Sequence, residues 1–329
     1  MNHSISKNIF YRNQLSNHTQ RIIIAITTIP IIIIICMAGG LYFFGLIAVL
    51  SALSLFEFYK LAEKKGAKPI IITGIVAGFF VNLSFYHVKL RTFIVELANS
   101  QGVLIPFPTQ TQLLIITIII IIITLSLIEL FRNNGSALLN LSTTIFGIFY
   151  ISLFWGTFIG LRELFVPFNF PMMRYFQGEP SFTDPVIIQQ VYKWGGYTVI
   201  SVLAIIWICD TAAYYGGTAL GRHKLFPRVS PNKSWEGSIF GFVFAILSAV
   251  ATKYVVLEYL SVGNAIILGI IVGVFGQLGD LVESLFKRDA GVKDSSNIIP
   301  GHGGVLDRFD SLLLVLPLVY LYLDFILFS

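Results

Sequence analysis

Charged side chains are scarce in this sequence: Asp, Glu, Lys and Arg make up 12% of its 329 residues, whereas apolar side chains make up 56%. Ordinary soluble domains carry about 25% charged residues. Half that fraction leaves too few charges to coat a water-soluble surface. The scarcity of charge therefore argues against a single soluble domain and predicts an integral membrane protein, with the lipid bilayer as its main solvent.

Cysteine is almost absent as well. The two cysteines, Cys36 and Cys209, lie inside apolar runs, which favours lipid- or core-facing positions over a disulfide or a metal pair. A cleavable signal pattern is also missing, so we expect the first apolar run to remain as a membrane span. The sequence shows no internal repeat either. The net charge of +5 does not indicate nucleic-acid binding, because the basic residues lie in short loops between apolar runs.

Long apolar runs dominate what is present. A membrane-spanning helix needs about 20 mostly apolar residues. A lone strand in lipid would leave its backbone unpaired, so we expect helices even where β-branched residues are dense. The sequence therefore predicts an all-α, polytopic membrane protein with about nine transmembrane helices. The nine stretches run near Ile22–Met37, Leu41–Tyr59, Pro69–Tyr86, Leu113–Leu130, Leu138–Leu161, Gly196–Tyr215, Ile239–Val256, Ala265–Val282 and Leu312–Phe328.

The distribution of Lys and Arg predicts how these spans are oriented. With a cytoplasmic N-terminus, sixteen of the 22 Lys and Arg residues fall on the cytoplasmic side and six on the other. Cytoplasmic loops of membrane proteins carry the excess of basic residues. We therefore expect the loops that contain Lys224 and Lys293 to be cytoplasmic.

Ionisable residues crowd into one stretch, Ser284–Asp310, with four Asp, several basic residues and His302 between two glycines. Asp307 and Asp310 are three residues apart and would share a face of a helix. Paired carboxylates bind hard divalent cations through oxygen. Glycines let a backbone approach a phosphate closely, and a helix start adds N–H donors. The stretch therefore predicts metal-assisted polyphosphate chemistry rather than a loop whose charges only set topology.

A second polar cluster lies upstream of this stretch. Asp210 lies near the end of a predicted span, where a carboxylate is costly unless it is paired or solvated. The run Ser230–Gly237 then places hydroxyls, an amide and a lysine around a proline, which is typical of a helix start. Taken alone, this cluster also fits an ordinary basic loop with a helix cap.

Two carboxylates of the N-terminal half, Glu57 and Glu129, lie near the cytoplasmic ends of predicted spans. Side chains at that depth reach the interface or pair with a neighbouring Lys or Arg. We interpret both as interfacial residues.

The Ser284–Asp310 stretch resembles the signature of the phosphatidate cytidylyltransferases, the CDP-diacylglycerol synthases. The runs Asp210–Tyr214 and Ser230–Gly237 are also similar to the family, with Ser234 where the family often has Thr. The N-terminal half resembles it only as an apolar region of similar length. The thirteen matching positions are Ser284, Lys287, Arg288, Lys293, Asp294, Pro300, Gly301, His302, Gly303, Gly304, Asp307, Arg308 and Asp310.

This resemblance implies a multi-pass enzyme of the cytoplasmic (inner) cell membrane that transfers CMP from CTP to phosphatidic acid and releases pyrophosphate. It implies Mg²⁺ as a cofactor and allows K⁺ as an assisting ion. The implied partners are CTP, phosphatidic acid, the bilayer and a second copy in a homodimer, with no nucleic acid. We expect residues 1–195 to form an N-terminal transmembrane region of about five spans and a far-side loop. Residues 196–329 would form a catalytic transmembrane region with cytoplasmic active-site loops.

The resemblance also assigns roles, residue by residue. His302 fits a phosphate hydrogen-bond donor or a turn former better than a proton abstractor, because the phosphate nucleophile is already anionic. The implied catalytic residues are Asp280, Ser284, Lys287, Arg288, Lys293, Asp294, His302, Asp307, Arg308 and Asp310. The implied substrate-binding residues are Asp210, Tyr214, Ser230, Pro231, Lys233, Ser234, Glu236, Gly303 and Gly304. The implied metal ligands are Asp280, Asp307 and Asp310.

Other functions remain as alternatives. Another membrane enzyme that uses CTP, such as a polyprenol or dolichol kinase relative, would share the nucleotide site but differ in the lipid pocket. An ion-coupled transporter would use Asp210 and Asp280 as carboxylates along its pathway. Transporters often show repeats or broken helices in both halves, whereas the polar residues here crowd one face of one half. That crowding favours chemistry at the membrane surface.

Overall fold

The computed structural model of the protein describes residues 17–166, 169–176, 183–298 and 303–328, with side chains from residue 26 onward. Helices account for nearly all of the regular structure. In chain order they are α1 (Asn17–Ala38), α2 (Gly40–Glu63), α3 (Ile71–Phe85), α4 (His87–Ser100), α5 (Gln110–Arg132), α6 (Ala137–Gly147), α7 (Leu153–Glu163), α8 (Met172–Tyr175), α9 (Pro185–Leu220), α10 (Trp235–Val255), α11 (Val262–Asp289) and α12 (Leu306–Tyr322). A π-helical turn, Ile148–Ser152, joins α6 to α7, and a second one, Leu323–Leu327, extends α12.

Helix length and hydropathy confirm the all-α, polytopic membrane fold. Seven helical segments in the described parts of the chain are long and apolar enough to cross a membrane. The pair α3 and α4 makes an eighth if it forms one broken span, and the described part of α1 is a shorter apolar helix, Ile26–Ala38. The number of nine spans and the cytoplasmic N-terminus therefore stay predictions.

The chain turns sharply between α3 and α4. The two helices are bent by 85° at a short break, and no side chain of α4 is buried in the protein. The sequence did not predict α4 as a separate element. The helix carries Lys89, Arg91 and Glu96 and is less apolar than α3, which fits a helix at the membrane surface.

Contacts between distant segments place several loops at one end of the bundle. Lys65, after α2, pairs with Asp289 at the end of α11, with 3.2 Å between Nζ and Oδ1. Arg132, at the end of α5, donates a hydrogen bond to the carbonyl of Lys68. Arg288 donates to the carbonyl of Val229. These contacts group loops that the charge distribution assigned to one face of the membrane.

Small residues let α9, α10 and α11 pack closely against one another. A Cβ atom on Gly237 of α10 would lie 2.6 Å from the carbonyl oxygen of Ala213 on α9. A Cβ on Gly269 of α11 would lie 2.6 Å from the Cα of Ile246 on α10. Close backbone approach at small residues is a common mode of helix packing in lipid. It holds these three helices in the arrangement that positions the site.

A short hairpin connects α9 to α10. β1 (Lys224–Phe226) pairs antiparallel with β2 (Ser230–Ser234). The Ser234 hydroxyl accepts a hydrogen bond from the backbone N–H of Gly237 and caps α10, as the helix-start pattern predicted. The boundary expected between residues 195 and 196 lies within α9, which continues across it, and the division into two regions stays a prediction.

Candidate active site

A cavity of about 790 Å³ lies where α9, the hairpin, α10, α11 and α12 meet. Its walls bring together side chains that are up to 104 positions apart in the sequence, from Trp207 to Ser311. The charged and hydroxyl-bearing residues that line it are Asp210, Tyr214, Thr218, Lys233, Ser234, Ser238, Asp280, Asp307, Arg308, Asp310 and Ser311.

Three carboxylates in the cavity come from three different helices. Asp210, Asp280 and Asp310 lie close enough together to interact electrostatically. Asp210 Oδ2 lies 3.5 Å from the Ser311 hydroxyl, and Asp310 Oδ1 accepts a hydrogen bond from the backbone N–H of Ser311 at 2.6 Å. Negative charge is therefore concentrated on one side of the cavity.

Lys233 partly neutralises the negative charge of these three carboxylates. Its Nζ lies 2.6 Å from Asp280 Oδ2, and Asp280 Oδ1 also accepts a hydrogen bond from the Ser284 hydroxyl. Both residues are about one-third exposed, so the pair faces the cavity rather than the protein core. The hairpin thus contributes a cation that pairs with one of the three carboxylates, Asp280.

Lys287 lies between Asp307, which lines the cavity, and Glu283 in the protein interior. Its ammonium group forms ion pairs with Glu283, which is fully buried, and with Asp307 at 2.7 Å. Positions 280, 283, 284 and 287 fall at i, i+3, i+4 and i+7, so they share one face of α11. This spacing is visible in the sequence and would have added Glu283 to the candidate site.

Asp307 fixes the loop that precedes α12. Its Oδ2 atom accepts hydrogen bonds from the backbone N–H of Ser295 at 2.9 Å, the Ser295 hydroxyl at 3.0 Å and the backbone N–H of Gly304 at 2.8 Å. Gly303 has a φ of +83°, a conformation that favours glycine. Asp307 is therefore occupied by the loop and by Lys287.

The helix kinks between Asp307 and Asp310. Phe309 has a φ of −122° and a ψ of 15°, which are not helical values. The spacing of three residues predicted that the two carboxylates share a helical face. Both do line the cavity, but Asp307 bonds to the preceding loop, whereas Asp310 faces Asp210 and Asp280.

Several predicted residues lie beside the cavity rather than in its lining. Arg288 is exposed, and its guanidinium donates to the carbonyls of Val229 and Val292. Lys293 and Asp294 are exposed on the loop after α11. Ser230 and Pro231 form the start of β2. Glu236 accepts hydrogen bonds from the backbone N–H groups of Arg222 and His223 and so fixes the hairpin.

Part of the predicted signature cannot be placed. Pro300, Gly301 and His302 lie outside the described residues. The predicted role of His302 therefore stays a prediction.

Sequence reasoning missed the role of Glu57. This fully buried carboxylate on α2 accepts hydrogen bonds from the loop before α12, from Ser295, Ser296, Val305 and Leu306. None of these donors is a Lys or Arg. The only signal in the sequence was an acidic residue inside an apolar span, which also fits an interfacial position.

The donor chemistry of the cavity fits a hard divalent cation, because Mg²⁺ prefers carboxylate oxygens. As the side chains stand, however, no group of three or more His, Cys, Asp or Glu residues within the described ranges is arranged to hold a metal ion. Asp280 is engaged by Lys233. Metal binding at Asp210, Asp280 and Asp310 would therefore require Lys233 to move away from Asp280.

Two comparisons with known proteins point to the same family. The model of the cytidylyltransferase family matches residues 19–326. A phosphatidate cytidylyltransferase from Synechocystis is 32% identical over 314 residues, which cover 94% of this chain and 97% of that protein.

Matches that cover a shorter part of the chain have a higher sequence identity. Phosphatidate cytidylyltransferases from Staphylococcus haemolyticus and Staphylococcus aureus are 46% and 47% identical over 129 residues, 39% of this chain. In these matches the chain spans about half the length of the staphylococcal relatives. Since the family match extends across nearly all of the sequence, this chain belongs to the cytidylyltransferase family.

Proposed function

We propose that this protein is a phosphatidate cytidylyltransferase, which converts CTP and phosphatidic acid to CDP-diacylglycerol and pyrophosphate. The observation that carries the proposal is the cavity in which Asp210, Asp280 and Asp310 face Lys233 at one end of a membrane-embedded helix bundle. The names of the relatives that match this chain support the choice of substrates.

The reaction joins two anions. An oxygen of the phosphatidate phosphate attacks the α-phosphorus of CTP and forms a new P–O bond, while the bond between the α- and β-phosphates breaks and pyrophosphate leaves. The nucleophile is already anionic near neutral pH, so no strong general base is required. The main obstacles are the repulsion between the substrates and the charge that accumulates on pyrophosphate.

The basic residues address both obstacles. Lys233 is held at the cavity by Asp280 and would exchange this partner for a phosphate oxygen of CTP. Arg308 also lines the cavity and adds a second cation. Lys287 is already bonded to Glu283 and Asp307, so we assign it the task of holding Asp307 and the loop in place.

Asp210, Asp280 and Asp310 are the residues that would hold Mg²⁺, which when bound supplies charge neutralisation at the triphosphate. Asp307 was also expected to be a metal ligand. Both of its oxygens already accept hydrogen bonds, so we propose that it organises the loop before α12.

The family resemblance adds three further parts to the proposal. They are an assisting K⁺, a homodimer and the inner cell membrane as the location of the protein.

An apolar groove supports a lipid substrate. It lies between α9 and α10 and has a volume of about 630 Å³. Trp207 lines both this groove and the charged cavity, so the two are neighbours. A phosphatidate molecule would place its headgroup in the cavity and an acyl chain in the groove, where apolar side chains such as Phe240 and Phe244 line the wall.

The products of the reaction test this proposal. Purified protein in detergent should release pyrophosphate from CTP only when phosphatidic acid and Mg²⁺ are present. A kinase acting on a polyprenol would instead release CDP, because it transfers the terminal phosphate. Release of CDP with a polyprenol, or no turnover with phosphatidic acid, would refute the proposed function.

A further inference from the structure

Glu57 is a buried carboxylate from the N-terminal region that reaches the loop before α12. Its Oε1 atom accepts hydrogen bonds from the Ser296 hydroxyl at 2.6 Å and the backbone N–H of Val305 at 2.9 Å. Its Oε2 atom accepts from the Ser295 hydroxyl at 2.9 Å and the backbone N–H of Leu306 at 2.8 Å. We propose that Glu57 is a positioning residue, which holds this loop and the start of α12 in the geometry required for nucleotidyl transfer.

Glu57 replaces a missing helix cap. Val305 occupies the N-cap position of α12, and no side chain of the helix itself caps it. The first N–H groups of a helix lack partners within the helix, and a negative charge there is favourable. The carboxylate of Glu57 satisfies two of these N–H groups from a different helix, α2.

The loop also links Glu57 to Asp307. The Ser295 hydroxyl lies 2.9 Å from Glu57 Oε2 and 3.0 Å from Asp307 Oδ2, so one hydroxyl proton is within reach of both carboxylates. Asp307 lines the charged cavity and pairs with Lys287. A shift of Glu57 would therefore be passed through Ser295 to a residue of the cavity wall.

The loop packs tightly against Glu57 at Gly304. A Cβ atom on Gly304 would overlap the Ser295 hydroxyl and would lie 2.5 Å from Glu57 Oε2. The backbone at Gly304 thus runs directly against the carboxylate. This contact gives a structural reason for glycine at position 304, in addition to any approach of the loop to a phosphate.

An amide cannot replace the carboxylate of Glu57. Each oxygen accepts from one serine hydroxyl and one backbone N–H. A hydroxyl can rotate and accept a hydrogen bond, whereas a backbone N–H can only donate. Glu57→Gln would therefore place its NH₂ group against the N–H of either Val305 or Leu306, whichever way the amide is turned.

A matched pair of variants tests this role. Glu129→Gln is the control, because Glu129 is also a buried carboxylate near the same end of the bundle but bonds to Arg132 and Asn140, away from the cavity. We expect Glu57→Gln to lower kcat about 10- to 100-fold with little change in KM for CTP, as small misplacements of reacting groups do. Glu129→Gln should keep kcat within about threefold of the unmodified protein.

Hydrogen exchange supplies a readout that does not depend on activity. In the substrate-free protein, the amides of Val305 and Leu306 should exchange faster in Glu57→Gln than in Glu129→Gln. If Glu57→Gln does not fold, Ser295→Ala tests the same link from the loop and should lower kcat in the same way. The inference rests on the proposed function only for its kinetic part, so an inactive unmodified protein would refute that function and leave the exchange result decisive.

Two results would overturn the inference. The first is equal loop exchange and equal kcat in the Glu57→Gln and Glu129→Gln proteins. The second is a lower melting temperature of Glu57→Gln with unchanged loop exchange and unchanged kcat of the folded protein, which would give Glu57 a purely structural role.

Discussion

The Nζ atom of Lys233 on the hairpin lies 2.6 Å from Asp280 Oδ2 on α11. This ion pair joins two segments that are separate in the sequence and lies in the wall of the charged cavity. It occupies one of the three carboxylates that we assign to the metal. The same lysine can therefore act as a competitor of the metal and as a ligand of the substrate.

The ion pair between Lys233 and Asp280 predicts that Lys233→Ala slows turnover but makes metal binding easier. We expect kcat to fall about tenfold or more, because the triphosphate loses a cation. The Mg²⁺ concentration for half-maximal activity should fall, because Lys233 no longer competes with the metal for Asp280. Both are measured by titrating Mg²⁺ at saturating CTP. The control is Lys224→Ala, an exposed lysine on the same hairpin. Equal behaviour of the two variants would remove Lys233 from the site.

Lys287 should matter for stability as well as for activity. Lys287→Met leaves the fully buried Glu283 without its cation, and removing one partner of a buried pair typically costs about 3–5 kcal/mol. We expect a lower melting temperature in detergent, measured by intrinsic fluorescence. Adding Glu283→Gln to Lys287→Met should restore much of the loss, because the unpaired carboxyl is then removed. A double variant less stable than Lys287→Met would contradict this.

The apolar groove predicts a chain-length effect. Ala212→Trp would fill part of the groove between α9 and α10. It should raise KM for long-chain phosphatidic acid several-fold and leave KM for a dihexanoyl substrate unchanged, because short chains do not need the groove. Ala48→Trp is the control, since Ala48 lines a different apolar groove between α2 and α3. The same KM shift in both variants would argue against the groove as the acyl site.

The orientation can be tested with few background signals. The two natural cysteines, Cys36 and Cys209, are free and buried. A cysteine introduced at Lys293 should react with a membrane-impermeant thiol reagent only after the cells are opened, because the excess of basic residues predicts a cytoplasmic loop. A cysteine at Asn99, an exposed position on α4, should react in intact cells. The reverse pattern would invert the orientation.

The sequence alone predicted most of the helices, because apolar runs in lipid have few alternatives to a helix. It did not predict α4, whose more polar residues follow an 85° bend. The hairpin was also missed, because strands of three and five residues are too short for a periodic signal.

The side chains that form the site were harder to predict, because residues that are neighbours in the sequence can point in different directions. Lys287 and Arg288 are neighbours on α11, but successive residues of a helix point about 100° apart. Lys287 therefore faces Glu283 and Asp307, whereas Arg288 is exposed. From its planar guanidinium group alone, we would expect Arg288 to be the most sensitive basic residue of this loop; the geometry favours Lys287.

Glu57 could not be predicted from its surroundings in the chain. Its donors lie 238 to 249 residues away, and two of them are backbone N–H groups, which any sequence provides. Recognition of its role needed the fold.

The most direct test of the central claim is the initial rate of CDP-diacylglycerol formation, followed by mass spectrometry, in the unmodified protein and in Asp310→Asn. We expect CDP-diacylglycerol and pyrophosphate in equal amounts from the unmodified protein. Asp310→Asn should be slower by about a hundredfold or more at every Mg²⁺ concentration, with an unchanged melting temperature, because it lacks one of the three carboxylates that we assign to the metal. Near-normal turnover of Asp310→Asn at limiting Mg²⁺ would contradict the assignment of this cavity as the active site.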